Sequence, residues 1–323
     1  MTTTRKTWAR WPLGHAADRT DPTQQPLLSD KEIVELLYRV QSLPDRQAEH
    51  RRPVQHMKAG DSHSTHRGSG LDYEESRRYQ AGDDLRFMDW RLTARSGEPY
   101  MKVFREVKQP SVFVLVDRRS TMRFGTRQRL KAAQAANVAA LCGFAAVRRG
   151  AAVGGVLVQP ELRWLDERSG ESGAHALIRG AAAPCPLLAG GDNEPSLGKV
   201  LCQVQAMLTP GTELVLISDF WDLAETDQPC LFHLATQQDV FAVQVLDPAE
   251  LSLPNAGLLH LRSVESGMSA RINSADPGLR AGYEKAVQDQ LQQRQHWLTA
   301  AGITVQRLMT DHDPVQALAE AMF

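Results

Sequence analysis

The chain has 323 residues, about twice the usual domain size, so one large or two modest domains are both allowed. Hydrophobic residues make up 42% and charged ones 23%, which supports a core and excludes a mostly disordered or collagen-like chain. A formal charge of -1, from 37 basic and 38 acidic residues, gives no global pull toward nucleic acid or an anionic membrane. Cys142, Cys185, Cys202 and Cys230 lie far apart and form no C-x-x-C pair, which fits a reducing compartment better than a disulfide framework. No window approaches the roughly 18 apolar residues of a membrane span, and the N-terminus lacks the apolar stretch of a signal peptide. A cytoplasmic protein with no membrane span is expected.

Residues 1–29 are polar and rich in Pro and Thr without a period, as in a disordered lead-in. The spacing then predicts a helix over 30–43, with Ser29 and Asp30 as its cap and Ile33, Leu36, Leu37 and Val40 on one stripe. Residues 44–70 lose all periodicity. They hold His50, His56, His63 and His66, whose spacing matches no metal-ligand pattern, so they read as a solvated loop. From residue 111 strands and helices alternate. SVFVLVD (111–117) is the kind of apolar run buried on both faces of a parallel sheet. An Ala-rich helix is expected over 127–149, strands at 153–158 and 161–165, and helices over 171–183 and 195–208. A second buried strand, ELVLISD, follows at 213–219, then a helix near 226–237 and a third strand, DVFAVQVLD, at 239–247. A hairpin over 259–273, a helix near 276–300, a strand at 303–309 and a short helix at 313–322 complete the order. This alternation predicts an α/β fold with a mainly parallel sheet and helices on both faces. The organisation read from it is a lead-in (1–29), an N-terminal extension (30–110) and an α/β domain (111–323).

Ligands in open parallel sheets bind beyond the carboxyl ends of strands, near a topological switch point. Two buried strands end in aspartate, Asp117 and Asp219. Carboxylates brought to one edge suit a hard divalent cation, and they equally suit the capping of the turns that follow them. Upstream lies a dense charged stretch, RRYQAGDDLRFMDWRLTAR (77–95). Gly82 permits a tight turn, Asp83 is placed to cap a short helix, and Arg86 and Asp89 stand three apart, a pairing distance on a helix. Tyr79 and Trp90 are expected as buried anchors, and the charges as an ion-pair network tying this segment to the domain edge.

SVFVLVDRRSTMRFGT (111–126) resembles the first strand and metal loop of a von Willebrand factor A-type domain. Arg78 (with Arg77 beside it), Tyr79, Gly82, Asp83, Asp84, Arg86, Asp89, Trp90, Thr93, Ala94 and Arg95 resemble the R-x-Y-x-x-G-D-D-x-R-x-x-D-W-x-x-(S/T)-A-R signature of the bacterial domain-of-unknown-function 58 family. The resemblance is to the short form that lacks membrane helices. It implies a von Willebrand factor A-like domain, with Mg²⁺ held by D-x-S-x-S, a later Thr and a later Asp. Here those positions are Asp117, Arg119 and Thr121, then Asp192 in GGDNEPSLGKVL (190–201), then Asp219. One Ser has become a cation and the Thr a carboxylate. A guanidinium beside carboxylates neutralises them without metal. The site is therefore expected to be degenerate and metal-free, with Arg119 bridging Asp117 to Asp219 or Asp192.

The same resemblance implies a MoxR-type AAA+ ATPase as partner, together with a client protein. No Ser-His-Asp, Cys-His or P-loop arrangement is present, which favours a non-enzymatic adaptor or scaffold. Its contact surface is expected at the loop edge, through Arg119, Phe220, Trp221 and Asp222. The alternative is a metal-dependent hydrolase using Asp117, Asp192 and Asp219.

Overall fold

The computed structural model describes residues 25–43, 71–80, 82–106, 109–185, 194–262 and 269–322. The histidine-bearing loop, most of the lead-in and Asp192 lie outside them. In chain order the elements are α1 (Asp30–Gln41), β1 (Leu71–Arg78), α2 (Trp90–Ser96), β2 (Tyr100–Glu106), β3 (Ser111–Asp117) and α3 (Lys131–Arg148). They continue with β4 (Ala152–Val158), β5 (Arg163–Ser169), α4 (Glu171–Ala182), α5 (Leu197–Met207), β6 (Glu213–Ser218), α6 (Gln228–Gln237) and β7 (Asp239–Leu246). The last are α7 (Pro248–Leu251), β8 (Leu258–Arg262), β9 (Ser269–Asn273), α8 (Pro277–Ala300), β10 (Thr304–Met309) and α9 (Pro314–Met322).

Six strands form one sheet in the order β5-β4-β3-β6-β7-β10. Every pairing is parallel except that of the edge strand β5, which runs antiparallel to β4. Counted along the chain, this is the doubly wound order 3-2-1-4-5-6, with the switch point between β3 and β6. The α/β architecture with a mainly parallel sheet is the one expected.

The period of two along β3 sorts its side chains between the two layers. Val112, Val114 and Val116 pack with Ala135, Val138 and Leu141 of α3, and that cluster extends to Leu36 and Val40 of α1. Phe113 and Leu115 face the other way, with Leu201 and Val204 of α5 and Leu231 of α6. The alanines of α3 are explained by this position, because nearly every residue of that helix is buried between its neighbours. Close approach is also written into β4, where a Cβ on Gly155 would lie 2.5 Å from the Val114 carbonyl oxygen.

Helix α1 begins with a reciprocal cap. Ser29 Oγ accepts from the Glu32 amide at 3.3 Å, and Glu32 Oε2 accepts from the Ser29 amide at 2.8 Å. Arg148 closes its other end by donating to Val40 O at 2.8 Å and Leu43 O at 2.9 Å. Arg39 holds Asp313, just before α9, through two bonds of 2.7 and 2.8 Å.

The charged stretch departs from expectation. It lies within an antiparallel hairpin, β1 against β2, which pairs from Leu71↔Glu106 to Arg78↔Tyr100 with a register shift between Tyr73 and Glu75. Asp84, not Asp83, caps the single 3₁₀ turn Leu85–Phe87. Asp83 instead accepts from Arg77 at 2.6 Å and from the Gln80 amide at 2.8 Å. Arg86 pairs with Asp84 at 2.6 Å rather than with Asp89. Asp89 caps α2, accepting from the Leu92 amide at 3.0 Å and from Ser76 Oγ at 2.9 Å. The pairs Arg77–Asp83, Arg78–Glu98 and Arg86–Asp84 all close inside the hairpin and so do not tie it to the six-stranded sheet. Tyr79 is half-buried, but Trp90 is 69% exposed and is no core anchor.

Candidate functional site

The switch point places the end of β3 beside the end of β6. Asp117 is the last residue of β3 and is fully buried. The two arginines that follow it part company. Arg118 reaches the end of α4, donating to Gly180 O at 2.8 Å and to Ala183 O at 2.7 Å. Arg119 turns back onto its own strand. After β6 the chain makes a sharp turn, with Phe220 at φ 59°, a rare conformation for a bulky residue. Ser218 fixes this turn to the neighbouring strand: its Oγ donates to Asp117 Oδ2 at 2.6 Å and accepts from the Phe220 amide at 3.2 Å.

Two cations of the chain itself occupy the carboxylates gathered here. Arg119 holds Asp117 in a fork, Nε to Oδ1 at 3.0 Å and Nη2 to Oδ2 at 2.7 Å. Its far side grips Asp222, with Nη2 to Oδ1 at 2.9 Å and a second contact from Nη1 to Oδ2. Asp222 also accepts from the Leu197 amide at 2.8 Å, which fixes the start of α5. Lys131, the first residue of α3, is fully buried and bridges Asp219 at 2.8 Å and Glu250 at 2.5 Å. A third pair lies alongside. Glu194 accepts from the Ser120 amide at 2.9 Å and from Ser120 Oγ at 2.6 Å, with Arg123 at 3.6 Å.

Burial sets the electrostatics. It pushes the Asp117 carboxyl up from its ordinary value, and the Arg119 guanidinium pulls the other way. A guanidinium does not deprotonate in proteins, so the bidentate contact is an ion pair. Burial also works against the charges on Arg119 and Lys131. For Arg119 the carboxylates of Asp117 and Asp222 outweigh it, and for Lys131 those of Asp219 and Glu250 do, so both bind their protons more tightly than usual. Burial raises Glu250, against the pull of Lys131.

Arg119 reaches Asp222 rather than Asp219, which belongs to Lys131. Asp192 lies outside the described residues. Thr121 is half-buried and its Oγ1 finds no hydrogen-bond partner among them. Phe220 is fully buried in the core with Leu216 and Leu231, so it offers no contact surface. Trp221 is half-buried beneath Arg294, whose guanidinium carbon stands 5.4 Å from the ring centre and whose Nη2 donates to Trp221 O at 2.7 Å. Sequence reasoning missed Lys131, Glu250 and Glu194. A lysine opening an otherwise apolar Ala-rich helix was a usable signal, since a buried ammonium demands carboxylate partners. Glu250 was visible as the fourth residue of the capping box that starts at Asp247.

The residues present do not fit the Mg²⁺ of an A-type domain. Such an ion needs several oxygen ligands in octahedral array. The Asp117 and Asp219 oxygens instead hold a guanidinium and an ammonium, and at an effective dielectric near 20 a divalent ion about 4 Å from either would be repelled by about 8 kcal/mol. Among the described residues, no three His, Cys, Asp or Glu side chains gather so as to hold a metal ion.

Strand order and site together define a doubly wound α/β domain whose switch-point carboxylates are paired to cations of the same chain. The chain belongs to the family described as "Protein of unknown function DUF58", whose model matches residues 75–293. It is 29% identical to the uncharacterized protein Rv1480 of Mycobacterium tuberculosis over 253 residues, covering 76% of this chain and 77% of that one. The same figures hold for the uncharacterized protein Mb1516 of Mycobacterium bovis. Among solved structures it is similar to an aerotolerance-related membrane protein from Bacteroides fragilis, with TM-score 0.43, 14% identity, and coverage of 65% of this chain and 96% of that one. BatB from Bacteroides thetaiotaomicron gives TM-score 0.40 and 13% identity, covering 65% of this chain and 95% of that one. Among the described residues of this chain, no helix is long and apolar enough to cross a membrane.

Proposed function

We propose that the chain is a non-enzymatic adaptor that works in the cytoplasm with a MoxR-type AAA+ ATPase, in the assembly or maturation of a client protein. The observation that carries this reading is the charge pairing at the switch point. Asp117 and Asp222 are committed to Arg119, and Asp219 and Glu250 to Lys131. A general base or a metal-activated water needs a carboxylate that is free to take a proton or a ligand. These are held as structural ion pairs, which suits a rigid recognition domain. Among the described residues, nothing favours hydrolysis by Asp117 and Asp219. The test is to mix the purified chain with a MoxR-type ATPase from the same genome, then measure co-elution and ATP turnover. Co-elution with an altered turnover supports the adaptor. Separate elution with unchanged turnover, or release of phosphate from generic phosphoesters by the chain alone, refutes it.

A further inference from the structure

The charged hairpin carries a surface that the switch point does not use. We propose that Leu85, Phe87 and Trp90, flanked by Arg91 and Arg95, dock an acidic apolar segment of a partner protein. The proposal deepens the adaptor reading and rests on it for the existence of a protein partner. Within six residues of chain, Leu85 is 57% exposed, Phe87 43% and Trp90 69%. Isolated exposed apolar residues are ordinary, but Leu85 and Phe87 on one short turn and a tryptophan opening the helix that follows, with arginines on that helix, have the composition of an interface centre.

The surface is held in advance of any partner. Asp84 caps the turn bearing Leu85 and Phe87, and Asp89 caps the helix that Trp90 begins. The Asp89 amide donates to Tyr100 O at 2.8 Å, and Thr93 Oγ1 accepts from the Tyr100 amide at 2.9 Å, so the turn and helix are tied to β2. Anchors fixed in this way lose little freedom on binding.

Charge identifies the occupant. Between Arg77 and Lys102 the acidic side chains are Asp83, Asp84, Asp89 and Glu98. Three are paired with Arg77, Arg86 and Arg78, and Asp89 serves as a cap. Arg91 and Arg95 are exposed and make no ion pair with a described residue. Two planar five-donor groups beside an apolar knob call for carboxylates beside apolar side chains. A second copy would bring the same positive surplus against itself. Of the chain's own segments outside the described residues, the two long ones have the wrong sign, and the shorter 186–193 and 263–268 hold a single acid each. Residues 1–24 carry Arg5, Lys6, Arg10 and Arg19 against Asp18 and Asp21. Residues 44–70 carry Arg46, Arg51, Arg52, Lys58 and Arg67 against Asp45, Glu49 and Asp61.

The test uses the full chain with p-benzoylphenylalanine at position 90, photo-cross-linked in its native cells, and the attached peptide sequenced by mass spectrometry. The expected product is a segment of another protein with Asp or Glu beside Leu, Ile or Phe. Its yield should fall about tenfold, equivalent to about 1.4 kcal/mol, in the Arg91→Glu, Arg95→Glu background. Far-UV dichroism should show that background to be folded. A cross-link to any segment of the same chain, to a second copy or to lipid overturns the proposal. So does a segment without acidic residues, a yield insensitive to the charge reversal, or a yield no higher than from the probe at exposed Phe232. A charge-insensitive cross-link, with equal co-elution of the ATPase by wild type and by the charge-reversed chain, would defeat this surface and leave the adaptor standing. A charge-dependent cross-link without ATPase co-elution would do the reverse.

Discussion

Lys131→Met removes the ammonium at the centre of the second cation pair while filling the space of its stem. The Lys131 side chain is 0% exposed, Asp219 1% and Glu250 17%, so water cannot replace the lost charge. Breaking a buried pair from one side costs about 3–5 kcal/mol, because the partner charge is left uncompensated. One term works the other way. Lys131 opens α3, where the helix end repels a cation, and its removal returns about 0.3–1 kcal/mol. The expected loss is therefore about 3 kcal/mol at neutral pH. In the wild type Lys131 has a raised pKa, so its contribution is complete below the unfolded value of about 10.4 and is lost as pH rises through the folded value above it. In the variant, Asp219 and Glu250 face each other without a cation, and burial already pushes Glu250 up. A proton then takes the place of the ammonium, and the deficit shrinks as pH falls toward the carboxylate range. Urea unfolding followed by circular dichroism at about pH 8 and about pH 5 reads both effects. A loss below about 1 kcal/mol at pH 8, or one equal at the two pH values, refutes the reasoning.

Trp90→Ala should change stability by less than about 0.5 kcal/mol in chemical denaturation, because the ring is 69% exposed; a loss near the 3–5 kcal/mol of a buried aromatic would contradict the hairpin described here. Gly155→Ala should cost about 1–3 kcal/mol by thermal melting, since the added carbon would stand 2.5 Å from a carbonyl oxygen of β3. Burial pushes the Asp247 carboxyl up, but hydrogen bonds from Thr126 and Thr310 outweigh it and leave the group below its usual range. Its stabilisation is therefore present above the unfolded pKa of about 3.9 and lost as pH falls through the lower folded value. Asp247→Asn should cost about 1.5–3 kcal/mol at neutral pH and lose that acid dependence, as a pH series of urea midpoints would show.

The buried sheet was legible because its strands are apolar runs of the right length between amphipathic helices. SVFVLVD, ELVLISD and DVFAVQVLD all became strands within a residue or two of expectation. Strand β5 was placed short and too early, at 161–165, because RWLDERS is an exposed edge with no apolar alternation. The hairpin strand LDYEESRR escaped for the same reason, its charges masking any period of two. Trp90 was misread because tryptophan composition argues for burial, while its position, first in a capped helix on a hairpin, puts it outside. At the site, Asp117 and Asp219 were found from strand ends and Arg119 from a departure in a motif. Their pairing was not legible. Which carboxylate an arginine reaches depends on the turn at Phe220 and on Lys131 arriving from 88 residues away, and neither shows in the residues around Arg119.

Calorimetric titration of Mg²⁺ and Mn²⁺ into the wild type and into Arg119→Ser tests whether the chain's own cations occupy the switch point. The substitution removes the guanidinium from Asp117 and Asp222 and places a hydroxyl in D-x-S-x-T spacing with Thr121, whose own Oγ1 has no hydrogen-bond partner among the described residues. The expected result is no binding heat and no thermal shift for the wild type, with a saturable, stabilising site in the variant. Tight binding by the wild type would contradict the pairing as the ground state, and binding by neither would contradict Arg119 as the occupant that keeps a metal out.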